Sequence, residues 1–213
     1  MPTPTLVLVP SALEVEGLAR LGGFPGELGS CERCGIGPVA ASARCAERLA
    51  RLAPARVLLV GIAGSFDLAR HPAGSAAAFG EVLLDGVGAG SGREFRALSE
   101  LGFAQWDGPP AVAERLALAG PAGAALLTVC ATSASAAERD ERRERYPRAA
   151  AEDMEGFGVA LACRLAGVPL AIVRGFSNEV GVRDPRTWRV DAALEAARAL
   201  ALAWLAREWE TRA

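Results

Sequence analysis

The chain has no lysine, and His71 is its only histidine. All 23 basic side chains are therefore arginines, set against 25 Asp and Glu for a net charge of −2. No basic stripe stands out, and phosphate contacts need clustered positive charge, so the sequence argues against nucleic acid as a partner. One histidine leaves a Ser-His-Asp or Cys-His mechanism a single candidate base, placed in a loop. The phosphate-cradling GxxxxGK[ST] and the metalloprotease HExxH are both absent. Of the five cysteines, Cys31 and Cys34 form a lone CxxC with no second pair or histidines to complete a zinc site. No metal and no cofactor are expected, and the thiols read as free and buried. No apolar run approaches a bilayer span and no leader pattern precedes Thr5, so the expectation is a cytoplasmic protein with no membrane partner.

What is present points to one domain over residues 1–213. That length supports a large single core, and just over half the residues are hydrophobic. Apolar strand-like runs alternate with helical patterns, without a repeat or a linker. Strands are expected at Thr5 to Val9, Gly29 to Cys34, Arg56 to Val60, Gly80 to Leu84, Ala124 to Cys130 and Ala149 to Asp153, and from Pro169 onward. Helices are expected from Pro38 to about Leu52, around Ala111 to Leu118, from Ser135 to Tyr146, from Gly156 to Ala166 and from Asp191 to Trp209, with Asp191 as cap. This alternation predicts a three-layer α/β/α fold around a mixed, mostly parallel sheet.

The stretch from Ala151 to Val180 carries the most chemistry. A short apolar run meets Met154-Glu155-Gly156, a helix follows and stops at Gly167, and a second buried run ends in Arg174-Gly175-Phe176-Ser177-Asn178. Glu155 and Ser177-Asn178 thus stand at strand ends, where open α/β sheets bind ligands. Glu155 also reads as a helix opener and Asn178 as a turn residue.

A helix follows the first strand, with Ser11 as cap and Glu14 three residues later, the spacing of a capping box. That gives Glu14 a structural task and leaves Glu16 free at the end of a strand, or as an exposed first-turn carboxylate. Gly35-Ile36-Gly37 with Ala40 fits a GxGxxA dinucleotide pattern. The next strand, however, ends in Gly61-Ile62-Ala63-Gly64 and not in an acid that could hold a ribose. These glycine turns are better read as backbone passing close to a ligand, or as tight turns. Asp85 to Phe95 is so rich in glycine that it reads as a lid or binding loop, or as a surface loop. Thr132-Ser133 forms a polar strand end, a further candidate site edge.

Taken in order, Gly35-Ile36-Gly37, Gly61-Ile62-Ala63-Gly64, Asp153-Met154-Glu155-Gly156 and Arg174-Gly175-Phe176-Ser177-Asn178 resemble the nucleoside phosphorylase/nucleosidase superfamily. The pattern is similar to the methylthioadenosine/S-adenosylhomocysteine nucleosidases across nearly the whole chain. Asp85 to Phe103 and Ser177 to Gly181, with Arg183-Asp184 and Trp188, look like the futalosine hydrolase branch. The resemblance implies hydrolysis of an N-ribosidic bond without a cofactor, on a small-molecule nucleoside, by a homodimer or higher homo-oligomer. It casts Glu16 as the acid that activates water and Glu155 as the ribose acid. Met154 becomes an apolar wall on the sugar, Ala63 and Gly64 a backbone edge, and Ser133 and Ser177 further substrate contacts. Asn178 becomes the group at purine N7 and the six-position. The adenine-cleaving relatives carry aspartate where this chain has Asn178. An amide NH2 donates to both N7 and O6 of a six-oxo purine, so futalosine and hypoxanthine are the implied substrate and base. Arg93 and Arg96 are candidates for the substrate's carboxylate tail, or are solvated surface charges. A phosphorylase, which needs an arginine after the first strand, and a nucleoside-binding protein without turnover are the alternatives.

Overall fold

The computed structural model describes residues 5–26, 29–121 and 124–206. In chain order its elements are β1 (Thr5–Val9), α1 (Ala12–Arg20), β2 (Gly29–Arg33), α2 (Pro38–Leu52), β3 (Arg56–Ser65), β4 (Ala76–Ala78), β5 (Glu81–Leu84), β6 (Gly88–Ala89), β7 (Arg96–Ala97), β8 (Arg115–Ala117), β9 (Ala125–Thr128), α3 (Ala136–Arg145), β10 (Ala149–Asp153), α4 (Gly156–Ala166), β11 (Leu170–Glu179) and α5 (Val190–Leu205). Nine of the described strands form one sheet, ordered β2-β1-β3-β10-β9-β5-β8, with β11 also on β3 and β4 on β11. The pairs β1/β2, β1/β3, β3/β11, β9/β10 and β5/β9 are parallel, and β3/β10, β4/β11 and β5/β8 are antiparallel. The sheet is therefore mixed and mostly parallel, with helices on both faces.

Strand periodicity decides which core each residue joins. Side chains alternate across a sheet, and a sheet covered on both faces needs apolar residues at every position. Leu6, Leu8, Val57, Leu59 and Ile172 pack with Ala41, Cys45 and Leu49 of α2 and Phe157 and Val159 of α4. Their neighbours Val7, Val9, Leu58, Val60, Ala171 and Val173 face the other way, onto Leu18 of α1 and Leu194, Ala197 and Trp204 of α5. α2 and α4 approach closely at Gly158, where a Cβ would lie 2.1 Å from the Pro38 carbonyl oxygen. Only glycine admits that approach.

Several expectations need correction. Residues 111–118 are not helical: Val112 bridges to Trp106, and β8 runs antiparallel to β5. Leu116 is buried between exposed Arg115 and Ala117, a period of two that suits an edge strand. Arg189, not Asp191, holds the N-cap position of α5; Asp191 lies in the first turn, paired with Arg20 at 3.6 Å. The end expected for that helix, Trp209, lies outside the described residues. Residues 85–97 fold as a small β6–β7 hairpin pinned by Arg145 to the Gly92 carbonyl and by Arg93 to Glu144. All five cysteines are free, but Cys31 and Cys130 are exposed, not buried. Among the described residues no helix is long and apolar enough to cross a membrane.

Candidate active site

A cavity of about 390 Å³ opens where β1, β3, β10 and β11 end, lined among others by Pro10, Ile62, Gly64, Asp153 and Ser177. Four buried acids line it: Glu14 of α1, Glu152 and Asp153 of β10, and Glu155 at the start of α4.

Glu14 performs two tasks at once. The capping box is formed, with Ser11 Oγ accepting from Glu14 N and Glu14 Oε2 accepting from Ser11 N at 3.0 Å. The other oxygen, Oε1, accepts from Ile62 N at 2.9 Å, so the carboxylate ties α1 to β3 at the cavity wall. Glu16 is exposed and does not line the cavity, which overturns its expected place. The cause is helix phase: two residues on is roughly 200° round the axis, so a buried Glu14 turns Glu16 outward.

Glu155 occupies the N-cap position of α4, yet its side chain caps nothing. The first free amides of α4 are taken by others: Gly156 N donates to Asp153 Oδ2 at 2.9 Å, and Phe157 N to Thr128 Oγ1 at 2.8 Å. Glu155 is thereby released into the cavity, where Oε1 accepts from Gly37 N at 3.1 Å, at the start of α2. Burial pushes its pKa up to about 7, against the pull of the neighbouring Arg174 cation.

Arg174 is fully buried in β11. Its Nε and Nη2 donate to Asp153 Oδ2 at 3.1 and 2.5 Å, and Nη2 also donates to Glu155 Oε2 at 3.2 Å. Its Nη1 has no partner. Gly61 explains how the group fits: a Cβ there would lie 2.3 Å from Arg174 Nη1 and 2.5 Å from Glu14 Oε1. The guanidinium and the carboxylate oxygen thus crowd against the glycine, and only a residue without a Cβ fits between them.

The remaining expected residues divide. Ala63, Gly64, Ser133, Met154, Glu155, Ser177 and Asn178 all line the cavity. Ser177 Oγ donates to Asn178 Oδ1 at 2.7 Å, which orients the amide. Asn178 Nδ2 then donates to Glu179 O at 2.8 Å and, loosely, to Val182 O at 3.4 Å. One of its N–H groups is firmly engaged and one weakly, so Asn178 does not offer the two free donors expected. Ser133 is buried, with Oγ donating to Glu152 Oε2 at 2.7 Å and N donating to Oε1 at 2.8 Å. Arg93 and Arg96 do not line the cavity; both are exposed on the hairpin region. Arg183 lines it instead, its guanidinium 5.2 Å from the centre of the Trp188 ring. Trp188 is in turn held by its Nε1 donating to Val182 O at 3.2 Å.

Sequence reasoning missed Glu14, Glu152 and Arg183 as cavity groups, and Arg174 as the buried partner of Glu155 behind the wall. Arg174 carried a usable signal: a charge inside an otherwise apolar strand needs a buried partner. Glu152 carried none, because its direction depends on how β10 meets β3.

Residues 115–206 match the family model described as Phosphorylase superfamily. A futalosine hydrolase of Acidothermus cellulolyticus is 38% identical over 157 residues, covering 68% of this chain and 61% of that protein. One of Streptomyces coelicolor is 38% identical over 143 residues, covering 66% and 60%. The match thus spans less than two thirds of the length of these curated relatives. Among solved structures, a 5′-methylthioadenosine/S-adenosylhomocysteine nucleosidase of Colwellia psychrerythraea in complex with adenine has a TM-score of 0.77 at 20% identity, covering 96% of this chain and 95% of that one. The futalosine hydrolase of Helicobacter pylori has a TM-score of 0.73 at 15% identity, covering 95% and 97%. At these identities the likeness to solved structures establishes the fold.

Proposed function

We propose that this chain, which belongs to the phosphorylase superfamily, hydrolyses the N-ribosidic bond of futalosine, giving hypoxanthine and dehypoxanthinyl futalosine in menaquinone biosynthesis. The observation that carries the chemistry is that two buried carboxylates, Glu14 and Glu155, line one cavity with Asn178. A water held there donates to Glu14 and turns a lone pair toward C1′. Glu155 accepts from the ribose hydroxyls and sets negative charge beside the cation that develops on the sugar. As the C1′–N9 bond breaks, the water oxygen bonds to C1′ and its proton passes to Glu14. That proton then returns to the departing purine. Asn178 releases its loosely held N–H to purine N7, which stabilises the leaving base.

Glu14 and Glu155 line the cavity here, and Arg174 behind them is already paired with Asp153 and Glu155. An incoming phosphate would meet repulsion, which favours water over phosphorolysis. Arg183 on Trp188 is placed for the substrate's carboxylate tail, the task first expected of Arg93 or Arg96. Leu13 and Ile36 line the cavity yet are 57% and 64% exposed. Exposed apolar side chains at the rim support the reading of a homodimer, in which a second copy of the chain would cover them. The same reading takes residues 1–213 as one domain acting in the cytoplasm.

The test is purine release from futalosine with and without inorganic phosphate. Release of hypoxanthine at equal rates in both conditions is expected. Dependence on phosphate returns the protein to the phosphorylases, and binding without release returns it to a nucleoside carrier.

A further inference from the structure

Glu152 is a buried carboxylate on the cavity wall for which hydrolysis has no use. Its surroundings are fully built. Ser133 N donates to Oε1, and Ser133 Oγ and Arg142 Nη1 donate to Oε2 at 2.7 Å each. Arg142 is fixed from behind by Nε donating to Asp85 at 3.2 Å and Nη2 donating to the Ala131 carbonyl at 2.9 Å. A carboxylate has about four acceptor positions, so three donors leave one, on Oε1.

The sheet register says what this position faces. Glu152 of β10 pairs with Gly64 of β3 on one side, and Asn178 of β11 pairs with the same Gly64 on the other. Strands lie roughly 4.8 Å apart, so the two side chains stand about two strands apart, with Val180 packed against Gly64 between them. Val180 lines the cavity, and a flat base stacked on it with its N7 toward Asn178 turns its pyrimidine ring toward Glu152. A six-oxo purine carries a hydrogen on N1, and a six-amino purine carries a lone pair there. We propose that Glu152 accepts from the N1–H of a six-oxo purine and is the residue that sets the base preference of the cavity. This rests on the nucleosidase reading above. It also supplies what Asn178 lacks, since the amide has only one loosely held N–H to spare. A six-amino purine meets lone pair against lone pair at a carboxylate that Ser133 and Arg142 prevent from turning away, a rejecting contact as well as a lost one.

The test is calorimetric binding of hypoxanthine and 1-deazahypoxanthine, which keeps the shape but lacks N1–H, to wild type and to Glu152→Ala. Wild type should prefer hypoxanthine by about ten- to a hundredfold, the worth of one unmatched buried polar contact. In Glu152→Ala the preference should fall to near unity, even if both ligands bind more weakly. Equal affinities in wild type overturn the proposal without any mutant. A preference that survives in Glu152→Ala overturns it too. Hypoxanthine released from futalosine by an enzyme with no N1–H preference removes this inference and leaves the nucleosidase reading standing. Failure to bind either base and to cleave any nucleoside removes both.

Discussion

Two arginines stand behind acids of the cavity wall, Arg142 behind Glu152 and Arg174 behind Glu155, and they are used differently. Arg142, on α3, is part-buried and donates to Asp85, Ser133, Glu152 and the Ala131 carbonyl. Arg174, on β11, is fully buried and pairs with two buried acids, Asp153 and Glu155. The first guanidinium holds one wall of the cavity still from its wetter side. The second offsets the charge of Glu155 from the dry side. The comparison separates a wall that reads shape from a corner that does chemistry.

The sharpest way to test the reactive corner is to remove its acid. Glu14→Gln should lower kcat for purine release by about a hundredfold to ten-thousandfold, as expected for a positioned general base. Loss below tenfold in a folded variant would take the base role from Glu14.

The two arginines themselves should differ when replaced. Arg174→Met leaves Asp153 and Glu155 buried beside each other without a counter-charge and should cost about 3–5 kcal/mol in urea unfolding. Arg142→Met removes hydrogen bonds to charged groups at a partly wet site and should cost about 1.5–3 kcal/mol. Equal losses would erase the distinction between the two arginines.

The pH dependence is a third comparison. Glu155 has its pKa raised to about 7 by burial. The ionised form is the active one, so kcat/KM should rise as pH climbs through about 7 and level off above it. Glu155→Gln should remove that limb. Folding has the opposite sign. Between the ordinary carboxylate range and about 7 the folded protein holds the proton more tightly, so stability should fall as pH rises through that window. Urea midpoints at acid and neutral pH check this.

The smallest expected effect is Glu16→Gln. An exposed carboxylate outside the cavity should change neither turnover nor stability measurably, in the same assay that condemns Glu14→Gln.

Much of the fold was legible because strands covered on both faces must be apolar throughout. Thr5 to Val9, Ala149 to Asp153 and Gly156 to Ala166 are marked in the sequence by composition and by Gly167. The site was legible where a motif sits at a strand end, as with Glu155 and Asn178. It failed at Glu14 because a capping residue was taken to be fully employed. A carboxylate has two oxygens, and here one caps while the other faces the cavity. Arg93 and Arg96 misled because charge on a glycine-rich loop does not say which way the loop folds. Residues 111–118 misled because a short alanine-rich run suits a helix locally. Only the free edge of β5 makes it a strand, and that edge is a tertiary fact.

The contact between α2 and α4 has reach beyond packing. Gly158 lets the Pro38 carbonyl come so close that no side chain fits, and Pro38 follows directly on Gly37, whose N–H holds Glu155. The two helices therefore act as a strut whose length fixes how firmly that amide grips. A methyl at position 158 would push the strut outward and slacken the grip. The carboxylate would then keep its proton to a higher pH. An apolar helix crossing, carrying no charge of its own, thus tunes the acidity of a group it never touches.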